Sequence, residues 1–348
     1  MPFSRPTRRL PGILICIAIA LVATALGHVE PVVGAPVFGI VIGSAVAAVV
    51  RPSEVVDSGA AWSGKYVLQG SVVVLGSGLS LGQVVHTGWQ SLPVMLGTLV
   101  VALVGGVLIG RALGLAADVR TLVAVGTAIC GASAIAATQS VIRAKADDVA
   151  YAIGTIFTFN VVAVLSFPFI GHALGFGDQA FGLWAGTAIN DTSSVVAAAF
   201  TFSAAAGQYG VVVKLTRTLM IIPITIGIAV YRRRIAAKTA PAARGPEPPA
   251  SPAWSWRSIV PQFLIWFVVV VAINSLGGIP STWHPALSLL GTFMITVALA
   301  GIGLGTRVQI LRSAGLRPLV LGAALWVLVA LTSLGLQALS PSMSGIWR

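Results

Sequence analysis

Apolar runs of membrane-spanning length recur along the whole chain, and they limit its fold more than any other feature. They fall at 10–27, 32–50, 66–85, 91–112, 120–142, 149–173, 180–203, 209–231, 258–275, 286–306 and 316–338. A helix crossing the hydrocarbon layer takes about 20 such residues, and a chain of 348 residues accommodates all of these runs as helices. Charged residues make up 9% and hydrophobic ones 57%, against roughly 25% charged in a soluble domain. One soluble core cannot bury that much apolar sequence, because surface falls too slowly with size. The expected fold class is an all-α polytopic membrane protein with about 11 transmembrane helices. A cytosolic enzyme, a disordered regulator and a nucleic-acid reader are excluded by the same composition.

The formal charge of +12 comes from short basic clusters between the apolar runs, the pattern that the positive-inside rule produces. With the amino terminus (Arg5, Arg8, Arg9) in the cytoplasm, the cytoplasmic loops hold Arg51 and Lys65, then Arg111 and Arg120. Further along they hold the Arg232-Arg233-Arg234 cluster, then Arg307, Arg312 and Arg317. The carboxyl terminus is then outside. Arg143 and Lys145 fall on the outer side in this scheme and do not fit it. Residues 1–27 also carry a signal-peptide pattern: a basic start, an apolar core at 13–22, and Ala23-Thr24-Ala25. Residues 232–256, rich in Pro, Ala and Ser, read as a flexible cytoplasmic linker, with Trp254 and Trp256 at the return to the membrane. The expected organisation is an N-terminal helix (1–31), a first five-helix repeat (32–173) and a second (174–338) that contains the linker.

Two apolar segments share the pattern G-T-A-I-x-x-x-S. Gly126-Thr127-Ala128-Ile129 runs into Cys130-Gly131-Ala132-Ser133, and Gly186-Thr187-Ala188-Ile189 into Asn190-Asp191-Thr192-Ser193. Small residues let helices pack closely, which accounts for the glycines but not for Asn190 and Asp191. A carboxylate at mid-membrane costs about 2.5–3.5 kcal/mol on insertion scales and marks a cavity or a partner. Lys214 and Arg217, three apart on one face of the next segment, lie at a similar depth. They either pair with Asp191 as helix glue or form with it a polar site, net +1, that favours a small anion. Segments five and ten carry glycines in matching places (Gly131; Gly301, Gly303, Gly305), and interrupted helices in inverted halves point to a midplane transport site. Free N–H groups at such breaks suit an anion. Cys16 and Cys130 lie in apolar runs and offer no metal ligand set, and the four histidines sit at helix ends.

The runs at 126–137, 182–198 and 213–217, with Gly34–Gly43 and Ala298–Leu304, resemble the YeiH-type family of bacterial inner-membrane proteins, whose members are commonly described as candidate sulfate exporters. The resemblance spans about 30–335 and is most specific at 126–137. It implies a distant likeness to the bile-acid symporter and sodium/proton antiporter superfamily, with crossed broken helices. It places Thr127, Cys130, Gly131, Ser133, Asn190, Asp191, Lys214 and Arg217 near a central site, which Thr192 and Ser193 extend. Where the family pattern often has His, this chain has Asn190, which cannot relay a proton; any proton coupling falls to Asp191.

The expected function is secondary active transport of a small inorganic or organic anion, sulfate or a related oxyanion, by alternating access. H⁺ or Na⁺ is the coupling ion to test, the lipid bilayer is the solvent, and a homo-oligomer is compatible with the sequence. No G-x-x-x-x-G-K-[ST] loop is present, which excludes ATP drive within this chain. No catalytic constellation, cofactor site or nucleic-acid surface stands out. The alternative is a sodium/proton or other cation exchanger, for which one buried carboxylate is few.

Overall fold

The computed structural model describes residues 9–29, 34–50, 53–239, 262–305 and 315–339. The expectations for Arg5, Arg8, Arg51, the proline-rich part of the linker, Trp254, Trp256, Arg307 and Arg312 lie outside them. The described residues form helices and connecting turns. They are α1 (Leu10–Val29), α2 (Ala35–Val50), α3 (Glu54–Trp62), a π-turn (Ser63–Val67), α4 (Leu68–Leu75), α5 (Leu81–Ala112), α6 (Ala117–Ala128) and α7 (Ala132–Ile142). Then follow α8 (Ala146–Ala173), α9 (Asp178–Ala188), α10 (Thr192–Phe202), α11 (Ala204–Thr218), α12 (Ile221–Thr239), α13 (Gln262–Ser275), α14 (His284–Gly305) and α15 (Leu316–Leu339). Among the described residues, six helical stretches are long and apolar enough to cross a membrane: α1, α5, α8, α11 with α12, α14 with the short turn before it, and α15.

Segments five and seven do not cross the bundle. In segment five, Gly126 of α6 packs against the side chain of Ile135 of α7. A straight path would hold these residues about 13 Å apart at helical rise, so α7 folds back beside α6. Segment seven does the same from the other end: the rings of Phe181, early in α9, and Phe202, at the end of α10, stack at 4.0 Å. Both ends of the first hairpin lie with the starts of α8 and α15, since Val119, Ile142, Ala152 and Leu321 share one apolar cluster. Both ends of the second lie with the far end of α8, where Phe181 and Phe202 flank Gly171. The two hairpins therefore enter from opposite faces and meet near mid-depth.

This geometry moves Arg143 and Lys145. Because α7 returns to the face it left, the α7–α8 turn lies on the same face as Arg111, Arg120 and Arg317, hereafter the basic face. Arg143 caps α7 in the left-handed conformation there, at φ 52°. The misfit arose from counting segments five and seven as crossings.

Four other expectations change. Lys65 is no loop residue: α3, the π-turn and α4 form one helical path from Glu54, with Lys65 inside it. The boundary expected near 85–91 falls instead at Leu79–Ser80, where Ser80 caps α5 by accepting from the Gln83 N–H while Gln83 accepts from the Ser80 N–H, a capping box. Segment ten is unbroken from His284 to Gly305. Gly301 and Gly303 are packing grooves, where a Cβ would lie 2.5 Å from the Ala60 carbonyl and 2.4 Å from the Ile40 carbonyl, whereas Gly305 has open space around it. The helix α12 also runs to Thr239, beyond the expected start of the linker.

Candidate functional site

The site is built where the hairpin tips meet. At the first tip α6 ends at Ala128, and Gly131 takes φ 66°, ψ −124°, a conformation open to glycine alone. A Cβ there would sit 3.7 Å from Cβ of Asp191 at the second tip. Each tip is thus the end of one half-helix and the start of another, leaving unpaired carbonyls from the inbound half and unpaired N–H groups from the outbound half.

Lys214 and Arg217, both with no exposed surface, serve the carbonyls. Lys214 Nζ donates to Ile129 O and Ile189 O, one on each tip, at 2.8 Å. Arg217 donates from Nε to Ala128 O at 2.6 Å, from Nη2 to Thr127 O at 2.8 Å, and from Nη1 to Thr187 O. Two cations therefore cap the negative dipole ends of α6 and α9 and tie the two hairpins to α11. The Asp191 carboxylate caps α10 and does not bond to these cations as helix glue, accepting from the Ser193 N–H at 2.9 Å, the Ser194 N–H at 3.3 Å and the Ser193 hydroxyl. A third element pins the second tip: Asn160 Oδ1 on α8 accepts from the N–H groups of Asn190 (3.1 Å) and Asp191 (3.3 Å).

Two adjoining cavities, of about 470 and 260 Å³, share Gly64, Lys65, Asp191 and Ser193 as walls. The larger reaches Gly305 at the end of α14 and the smaller Phe263 at the start of α13, so both open toward the basic face. Cys130, Ser133 and Thr192 line the smaller one. Of the residues that the sequence pointed to, Cys130, Ser133, Asp191, Thr192 and Ser193 therefore face open space. Thr127, Gly131, Asn190, Lys214 and Arg217 form the buried junction behind them. The hydroxyl of Thr127 and Oδ1 of Asn190 are buried there without hydrogen-bond partners.

Sequence reasoning missed Lys65, Gln69 and Asn160. Lys65 sits in the π-turn Ser63–Val67, a local widening common at functional sites, and hydropathy gives no signal for it. Asn160 did leave a signal, as an amide in the middle of an apolar run.

Over residues 11–322 the chain matches the family described as Conserved hypothetical protein 698. A UPF0324 membrane protein of Streptococcus pyogenes serotype M3 is 40% identical over 348 residues, covering 98% of each chain. UPF0324 membrane proteins of Streptococcus agalactiae serotype V (39% over 339 residues, 95% of this chain and 97% of the relative) and Fusobacterium nucleatum (37% over 349 residues, 94% and 97%) are also similar. The chain belongs to the UPF0324 membrane protein family. The family description names no substrate. No solved structure matches.

Proposed function

We propose that this protein is a secondary transporter that moves a small anion, sulfate or a related oxyanion, across a bacterial plasma membrane by alternating access, with its basic face in the cytoplasm. The observation that carries the reading is the junction of two opposed hairpins beside a cavity open to one face. Interrupted backbone at membrane depth is tolerated only where it is buried in protein or lines a cavity, and it presents helix ends to a solute. The basic face belongs in the cytoplasm because Lys and Arg are retained there, and Arg143 and Lys145 now conform.

The sign of the solute follows from which helix ends stay open. Lys214 and Arg217 cover the carbonyl ends of α6 and α9, and Asp191 covers the N–H end of α10. The N-terminus of α7 has no side-chain cap, and Cys130 and Ser133 at that end share a cavity with Lys65. An open helix N-terminus, a hydroxyl and an ammonium group together favour an anion. Asp191 is the one carboxylate among the described residues lining these cavities, and it is the group through which H⁺ or Na⁺ would couple.

Purified protein in liposomes tests the reading. Imposed pH or Na⁺ gradients should drive uptake of radiolabelled sulfate, and sulfate should raise the melting temperature in detergent. A ligand at 100 times its Kd adds about 2.7 kcal/mol of apparent stability. Gradient-driven H⁺ or Na⁺ exchange with no dependence on any oxyanion would favour the cation exchanger instead.

A further inference from the structure

A third cavity, of about 350 Å³, opens on the face opposite the basic one, between the starts of α5, α9 and α11. Its walls include Gln83, His86, Gln90, Gln179, Gln208 and Tyr209, with no carboxylate or ammonium group among its lining residues. Gln83 already accepts from Ser80 through Oε1, which leaves its NH₂ to donate elsewhere. The Tyr209 hydroxyl is buried without a hydrogen-bond partner. The cavity therefore offers amide and phenol hydrogen-bond donors with no carboxylate among its lining residues.

Its position relative to the tip cavities is set by two helices. On α11, Gln208 and Val212 line the outer cavity, and Leu215 and Thr218 line the inner one. Steps of four, three and three residues keep all of them on one helix face. On the neighbouring path, Gln69 and Val72 of α4 line the inner cavity and Leu79, just past α4, the outer one. Between the cavities Val72, Leu75, Val212 and Leu215 pack in a single apolar cluster, with Val72 2% and Leu215 5% exposed. Val212 and Leu215 are separated by about 4.5 Å of helical rise. Lys214 and Arg217 leave α11 elsewhere, toward the tips. One side of α11 thus pins the hairpins, and another faces both cavities.

From this alignment, and resting on the transporter reading above, we infer that the outer cavity is the second mouth of the same path. It is a hydrogen-bonding vestibule for the anion, and the Val72–Leu75–Val212–Leu215 layer is the closed gate. Neutral amide donors hold an anion less tightly than an ammonium group, so a solute reaching this mouth leaves readily, as passage requires.

The test labels single cysteines after folding. Ala205→Cys and Thr87→Cys each place a thiol in the outer cavity, on different helices. A bulky, membrane-impermeant thiol reagent is added from the vestibule's face of proteoliposomes, and sulfate flux is compared before and after. Labelling should cut flux at least tenfold in both variants and leave the parent unchanged. Sulfate should still raise the melting temperature of the labelled proteins, because the inner cavity stays open. Unimpeded flux in either labelled variant overturns the inference while leaving the transporter reading intact. A parent that neither binds nor moves sulfate fails the transporter reading itself, and this inference with it.

Discussion

At the scale of single residues, the most informative finding is what the two buried cations do. Lys214 and Arg217 were visible in the sequence as intramembrane charges three apart, and Asp191 as a carboxylate at matching depth. Their partners were not visible, because backbone carbonyls become available only where a helix ends, and no hydropathy profile shows where that happens. Arg217→Gln removes a guanidinium that serves three carbonyls, and each orphaned buried acceptor costs about 1–3 kcal/mol. The expected loss is about 3 kcal/mol or more, read as a clear fall in melting temperature. Arg217→Lys should recover part of it, since one ammonium reaches fewer carbonyls than a guanidinium fork. An Arg217→Gln protein as stable as the parent would mean that these contacts do not hold the tips.

At the scale of elements, the recurring apolar stretches were legible, and so was the interruption at Cys130-Gly131. The direction of the chain after each interruption was not. A half-helix of 11 or 12 residues that folds back has the same composition as half of a spanning helix. The only trace was the misplaced Arg143 and Lys145. The shared G-T-A-I pattern gains a physical reason: in both hairpins it ends the inbound half-helix, so its last carbonyls meet Lys214 and Arg217. The two hairpins, each followed by a helix (α8, or α11 with α12), form units of like design that enter from opposite faces. Exposed cysteines test this directly. Ala116→Cys and Lys145→Cys, on either side of the first hairpin, should react with an impermeant reagent added from the same side of the membrane, and Leu174→Cys from the other. Labelling of positions 116 and 145 from opposite sides would restore segment five as a crossing.

For the whole molecule, charge placement and cavity placement agree. Small residues let helices approach closely, as α2 does α14 at Gly43 and Gly301 does α3 beside the larger cavity. Two of the buried polar atoms without hydrogen-bond partners, on Thr127 and Asn190, lie at the tip junction. Asp191 caps α10 from the cavity wall. Asp191→Asn keeps the cap's geometry and removes its charge. If the carboxylate couples transport, sulfate uptake by this variant should lose its dependence on pH or Na⁺ while sulfate binding persists. Unaltered ion dependence would assign Asp191 to capping alone.

In the proposed transporter a small anion rests in the cavity beside the joined tips, held in part by the ammonium group of Lys65. Equilibrium binding of radiolabelled sulfate to Lys65→Gln, beside the parent, measures it most directly. A charge-assisted hydrogen bond contributes about 1.5–3 kcal/mol, so affinity should fall at least tenfold. Melting temperature in the absence of sulfate should stay near that of the parent, since Lys65 is exposed to the cavity. Sulfate binding at full affinity to Lys65→Gln would contradict the account.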